Sequence, residues 1–261
     1  MRPRLFTLIA LLALLATFGA CRCNTIPAVK GEPRTEIPEV MVAKVGGDSI
    51  TVDGALDDPG WSQSEETPGF VAPGDGAFLS SSPVNARARM AWTDEAFYVA
   101  VTVNDAAPTS PFGRDDVDPH IWSKSSGIEL MLQPGDPGDN RQYFELQVDV
   151  NEAVWDTRFD DYNTPITMEH GGKRFGHQDW DAKLERAVSV DQKAGLYTVE
   201  MKLPWSALGN LRVPAPPNPG DTWRVNLYSF RDGQKQSLAW SPIMGKGNFH
   251  KTSQFGRVTF K

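Results

Sequence analysis

Cysteine is nearly absent: 261 residues contain only Cys21 and Cys23. No disulfide can tie the folded body together, and two lone thiols do not complete a zinc site. Histidine is sparse too, with four residues scattered at positions 120, 170, 177 and 250. After position 30 no basic run exceeds two residues, and the formal charge is −7, from 26 Lys and Arg against 33 Asp and Glu. Duplex DNA and RNA are excluded as partners, because neutralising phosphates needs clustered cations. The longest apolar stretch, residues 5–20, falls short of the ~20 residues of a bilayer-spanning helix. No segment keeps an i, i+3, i+4, i+7 pattern over three turns, so a helical bundle is excluded. Serine-hydrolase, zinc-protease, phosphate-loop and EF-hand motifs are all missing, and no nucleophile stands out. A glycosidase carboxylate pair cannot be picked from sequence spacing, because its working separation is spatial.

What remains is rich in core material. Hydrophobic residues make up 40% of the chain, with eight Trp and thirteen Phe, so global disorder is excluded. The 23 Gly and 20 Pro, spread along the chain, favour many short strands and turns. Period-two alternation predicts a hairpin over residues 86–92 and 97–103, and a second over 127–133 and 142–150, with a third strand at 154–159. Residues 184–190 and 196–203 flank another turn, and 222–230, 236–241 and 255–260 close the chain. With 40–45 and 49–52 this makes about a dozen strands. Single helical turns are expected near Pro59 and Pro204. The pattern predicts an all-β fold, one antiparallel β-sandwich over residues 39–261. Trp92, Trp155, Trp205, Trp223 and Trp240 fall within strand patterns and are expected in the core, with Trp61 plugging one end.

The N-terminus has a targeting pattern. Arg2 and Arg4 precede the apolar stretch, which ends in Gly19-Ala20-Cys21. This resembles the bacterial lipobox, which implies a signal peptide over residues 1–20 and diacylglycerol on Cys21. Residues 21–38 are Pro-rich and aperiodic and read as a tether. Arg22 stands where such lipoproteins carry the Asp of inner-membrane retention, so the resemblance implies a lipid anchor in a bacterial outer membrane, provided the host has one.

Several short motifs run in order along the body. Ile50-Thr51-Val52-Asp53-Gly54 leads to Trp61; Trp122 precedes Gly127-Ile128-Glu129-Leu130; and Tyr143-Phe144-Glu145-Leu146-Gln147 precedes Val154-Trp155-Asp156. Tyr197–Trp205, Gly220-Asp221-Thr222-Trp223, Ala239-Trp240-Ser241-Pro242 and Phe255-Gly256-Arg257 follow. The set resembles carbohydrate-binding module family 9, in its lipoprotein-borne family 9-like branch, over essentially all of residues 40–261. The resemblance implies non-catalytic binding of the ends of poly- or oligosaccharides, in support of polysaccharide attachment or breakdown. It places the two sugar-sandwiching aromatics at Trp122 and Phe249, a hydroxyl-binding acid at Glu129 and a polar neighbour at Gln147, where well-studied modules carry Arg. His250, beside Phe249, joins the candidate carbohydrate-binding set. Sugar chemistry agrees: an axial C–H face suits an aromatic plane, and the hydroxyl rim suits amides and carboxylates.

Other readings stay open. Asp115-Asp116-Val117-Asp118 could serve Ca²⁺ or lie as a solvated acidic loop. An unrecognised glycoside hydrolase is one alternative. A haem-binding cytochrome-type sandwich is another, with Met90 and His170 or His250 as axial ligands. A purely structural or adhesive envelope protein is a third.

Overall fold

Alternating apolar residues need a second apolar face to pack on, and the chain supplies it by folding one long sheet over itself. A computed structural model describes residues 32–79, 84–233 and 235–261; the signal segment and Cys21 lie outside the described residues. The strands are β1 (Glu39–Lys44), β2 (Asn85–Trp92), β3 (Ala96–Asn104), β4 (Gly127–Gln133), β5 (Arg141–Asp149), β6 (Val154–Asp161), β7 (Ile166–Thr167), β8 (Lys173–Arg174), β9 (Glu185–Asp191), β10 (Leu196–Pro204), β11 (Thr222–Arg231), β12 (Gln236–Ala239) and β13 (Gly256–Phe260). Two four-residue helices, α1 (Pro59–Ser62) and α2 (Ile121–Lys124), and two short 3₁₀ turns complete the described elements. None of the described helices is long and apolar enough to cross a membrane.

Eleven strands form one sheet in the order β6-β5-β4-β11-β13-β1-β2-β3-β10-β9, with β12 added to β11. Strand β1 joins its two wings. Residues 39–42 pair in parallel with β13, and residues 43–44 pair in parallel with β2. The sheet is therefore mixed, which corrects the purely antiparallel expectation, and it is one curled half-barrel rather than a sandwich of two separate sheets. Each strand turns alternate residues inward. Ala88, Met90 and Trp92 of β2, Val99 and Val101 of β3, and Val199 and Met201 of β10 share one buried cluster with Ile128, Leu130, Phe144, Leu146, Val225 and Leu227 of the opposite wing.

Residues 49–52 do not form a strand. Ile50 alternates as a strand would, but it packs instead against Trp61, Tyr98 and Ala100 on the outer face of the second wing. Trp61 covers that face rather than plugging an end, and its Nε1 donates to Glu200 Oε1 at 2.6 Å. Trp92, Trp155, Trp205, Trp223 and Trp240 are all buried, but Trp155 lies outside the main core, with Ile121 and Ala153.

Candidate functional site

Register decides which side chains share the outer face of the β4–β5–β6 wing. Glu129 stands opposite Gln147, and Gln147 opposite Trp155. Met131 pairs with Glu145, and Glu145 with Thr157; Tyr143 pairs with Phe159. On the far side Glu129 faces Tyr228 of β11. The alternation that sends Leu130 and Leu146 into the core thus lines up a polar and aromatic row above them.

Over this row lies a cleft of about 730 Å³, within the range of small-molecule sites. Glu129, Met131 and Glu145 line it from the strands, and Trp155, Phe159, Tyr162, Phe249 and His250 contribute aromatic walls. The β7–β8 hairpin overhangs it with Met168, Lys173, Arg174 and Phe175. Trp122, Met168 and Phe175, three of the large apolar side chains left exposed, all border this one opening.

The aromatics differ in how firmly they are held. Trp122 is 36% exposed and its ring stacks on His120, with centroids 5.6 Å apart. Phe249 is half-buried and lies flat on Tyr228, at 4.1 Å and an interplanar angle of 3°. His250 stacks on Tyr162 at 4.1 Å, meets Phe159 edge-on, and places Nδ1 2.7 Å from the Tyr143 hydroxyl. Burial pushes the His250 imidazole down to about 4, so it is neutral near pH 7.

The floor holds a carboxyl pair. The Gln147 amide donates to Glu129 Oε2 at 2.8 Å and to Glu145 Oε1 at 2.7 Å. Its own Oε1 accepts from the Trp122 backbone N–H at 3.0 Å. Gln147 is completely buried beneath the cleft, so it clamps both acids and ties them to the Trp122 turn. Glu129 Oε1 and Glu145 Oε2 are buried without any hydrogen-bond partner; His250 Nε2 comes only to 3.7 Å of the latter. Burial first, and then the neighbouring Glu145 carboxylate, holds Glu129 well above the usual carboxylate range. Burial likewise raises Glu145 to about 7, with the neighbouring Glu129 carboxyl and the Gln147 amide working the other way.

The structure therefore brings Trp122, Glu129, Phe249 and His250 to one cleft and puts Gln147 under it as the clamp. The sequence reading missed Glu145, although Glu145 and Gln147 alternate on the face that Glu129 shares. Tyr162 and the 166–176 hairpin carry no periodic signal and came into view only with the fold.

The alternative chemistries fit less well. Glu129 and Glu145 each place an oxygen on the same Gln147 amide nitrogen, at 2.8 and 2.7 Å, too close together for the roughly 6.5–9.5 Å gap of an inverting glycosidase. Met90 is buried in the core between the wings, while His250 lies on the outer face and His170 is exposed; no haem could take Met90 and either histidine as axial ligands. Asp115 and Asp116 are exposed, and Asp116 Oδ2 closes a turn onto the Gly113 N–H at 3.0 Å. Among the described residues no three His, Cys, Asp or Glu converge to hold a metal ion, so the calcium reading of this run has no support in the fold.

A family model described as "Carbohydrate family 9 binding domain-like" matches residues 52–261. The chain belongs to this family. It is a family of binding domains rather than catalytic ones, and the ordered motifs from Ile50 to Arg257 resemble it for that reason. The family 9-like fold extends upstream of the matched region, since β1 begins at Glu39. A family 9 module from Caldicellulosiruptor kristjanssonii, solved with cellotriose, aligns with a TM-score of 0.57 at 15% identity, covering 85% of this chain and 93% of that one. The same organism's module with glucose aligns at 0.56 and 16%, covering 85% and 95%. A Bacteroides uniformis protein named as a candidate carbohydrate binder aligns at 0.64 and 18%, covering 87% of this chain and all of that one. These likenesses concern the fold. No match was found among curated proteins.

Proposed function

We propose that this family 9-like protein is a non-catalytic binder of saccharide ends, held in a bacterial envelope by lipid on Cys21 and serving polysaccharide attachment or breakdown. The observation that carries the binding reading is the pairing, in one cleft, of exposed aromatic surface with buried carboxyl oxygens that lack partners. Aromatic faces suit the C–H side of a sugar ring, and orphaned acceptors suit its hydroxyls. The cellotriose and glucose bound by the Caldicellulosiruptor module are ligands of the same chemical kind. The anchor rests on the Gly19-Ala20-Cys21 run after a basic and apolar leader. Two or three acyl chains hold a protein firmly at a bilayer, where one chain holds it only marginally. Arg22 next to the lipidated cysteine favours the outer membrane.

A glycan array probed with the detergent-solubilised chain tests the first half; absence of binding to every glycan would sink it. Membrane fractionation tests the second. Cys21→Ser is expected to abolish acylation and release the protein, and a Ser variant that stays acylated and bound removes the anchor from the proposal.

A further inference from the structure

Gln147 has one amide group to offer two carboxyls, and it holds one oxygen of each. The remaining oxygens, Glu129 Oε1 and Glu145 Oε2, are shut off from bulk water and unpartnered, yet both residues line the cleft. A buried acceptor without a partner is costly, and a buried carboxylate beside a second one is costlier still. Two facing carboxyls relieve this by keeping one proton between them. No cation on the surrounding elements can take the proton's place. Tyr143 of β5 and Tyr228 of β11 face the pair as neutral phenols held above their ordinary range by burial. Tyr162, beyond β6, is raised the same way. His250 approaches Glu145 from the chain before β13, but as a neutral ring. Lys173 is exposed on the overhanging hairpin, and Arg174 there leans towards Asp179 at 3.8 Å.

Resting on the saccharide-binding reading above, we infer that Glu145 is a second ligand-contact carboxyl, and that Glu129 and Glu145 together grip an uncharged saccharide through one shared proton, as one O–H donor and one carboxylate acceptor. Two neighbouring hydroxyls of a sugar offer the complementary acceptor and donor. An anionic sugar whose carboxylate entered here would face the buried negative charge of the pair. Losing the shared proton leaves two acceptors and two charges, which removes the donor and repels the pair.

The test is calorimetric titration of the full chain with glucose, cellotriose and glucuronate between pH 5 and 9. Wild-type affinity for the neutral sugars is expected to hold while the pair keeps its shared proton and to fall by about tenfold per pH unit once that proton is lost, the slope of a single linked proton. Glu145→Gln carries a permanent donor and acceptor, so it should bind with little dependence on pH. Glucuronate should bind weakly throughout. An identical pH profile in wild type and Glu145→Gln, loss of all binding in a folded Glu145→Gln, or glucuronate binding as tightly as glucose each overturns the shared-proton grip. The ¹³C resonances of the glutamate carboxyls in the unliganded wild type give a readout that survives an unstable variant. One carboxyl titrating near neutrality is expected, and two ordinary titrations near 4.5 would refute the pair. A wild type that shows the raised titration but binds none of the sugars at any pH refutes the saccharide reading, and with it the grip, while leaving the proton in place.

Discussion

Trp122 and Phe249 line the same cleft, but their surroundings separate what each would lose on truncation. Trp122 is one-third exposed and its ring stacks on His120. Trp122→Ala should therefore cost clearly less than the roughly 3–5 kcal/mol of a fully buried aromatic. Its loss from a sugar contact should weaken binding about tenfold, since an aromatic contact contributes roughly 0.5–1.5 kcal/mol beyond its buried area and 1.4 kcal/mol is one decade. Phe249 lies flat on Tyr228 and parallel to Phe230, so Phe249→Ala should weaken binding and also lower the melting point. Its stability loss should be a fraction of the roughly 3–5 kcal/mol of a fully buried Phe. Melting and glycan titration on both variants check the contrast; a large stability loss at Trp122 with unchanged affinity would remove it from the site. At this scale the sequence marked residues that line one cleft where they sit in a motif of fixed spacing, as Trp122, Glu129 and Phe249 do. It was not legible where the role comes from a neighbour: nothing local marks Glu145 as the partner of Glu129, because β4 and β5 place them together across a hairpin.

Strands read well from alternation, because a half-buried strand must present one parity to the core. That is why eleven of the expected segments coincide with β1 to β6 and β9 to β13, and why the two-residue β7 and β8 left no trace. Direction did not read from sequence. Hairpins announce antiparallel neighbours through their turns, whereas the parallel pairings of β1 with β13 and β2 join distant segments with no local signal. Packing between elements also gives meaning to Phe255-Gly256. A Cβ at Gly256 would stand 2.4 Å from Trp240 Cζ3, and Trp240 is fully buried in the main core. The glycine is what lets β13 lie against that indole. Gly256→Ala should destabilise by roughly 1–3 kcal/mol through overpacking, shown by a lower denaturation midpoint with an unchanged denaturant slope. A neutral effect would mean that Trp240 shifts freely and that its packing is not what fixes the β13 position.

The molecule as a whole combines a net charge of −7 with several acids buried in a fold that does not neutralise them, and this sets how its stability depends on pH. Burial raises Glu145 to about 7 and Asp156 to about 6, and it raises Glu129 and Glu200 as well. For such groups the folded state binds more protons than the unfolded one. Their contribution is fully present below the ordinary carboxylate range and is lost as pH rises through the raised values. His250 acts in the opposite sense. Its imidazole is pushed down to about 4, so the unfolded chain takes up the proton first, and stability falls as pH drops from 6.5 towards 4. At 1.36 kcal/mol per pKa unit, that loss is on the order of 3 kcal/mol once both states are protonated. Between pH 4.5 and 6.5 the two effects oppose each other. Above 6.5 only the acids act, so the wild type should weaken towards pH 7.5. Glu145→Gln removes one of those acids, and its stability relative to wild type should rise steadily across pH 4.5 to 7. His250→Gln removes the opposing group and should make the decline between 4.5 and 6.5 steeper than in the wild type. Urea denaturation of the three proteins at half-unit pH steps measures both slopes. Parallel curves for wild type and Glu145→Gln would show that Glu145 titrates alike in the folded and unfolded chains.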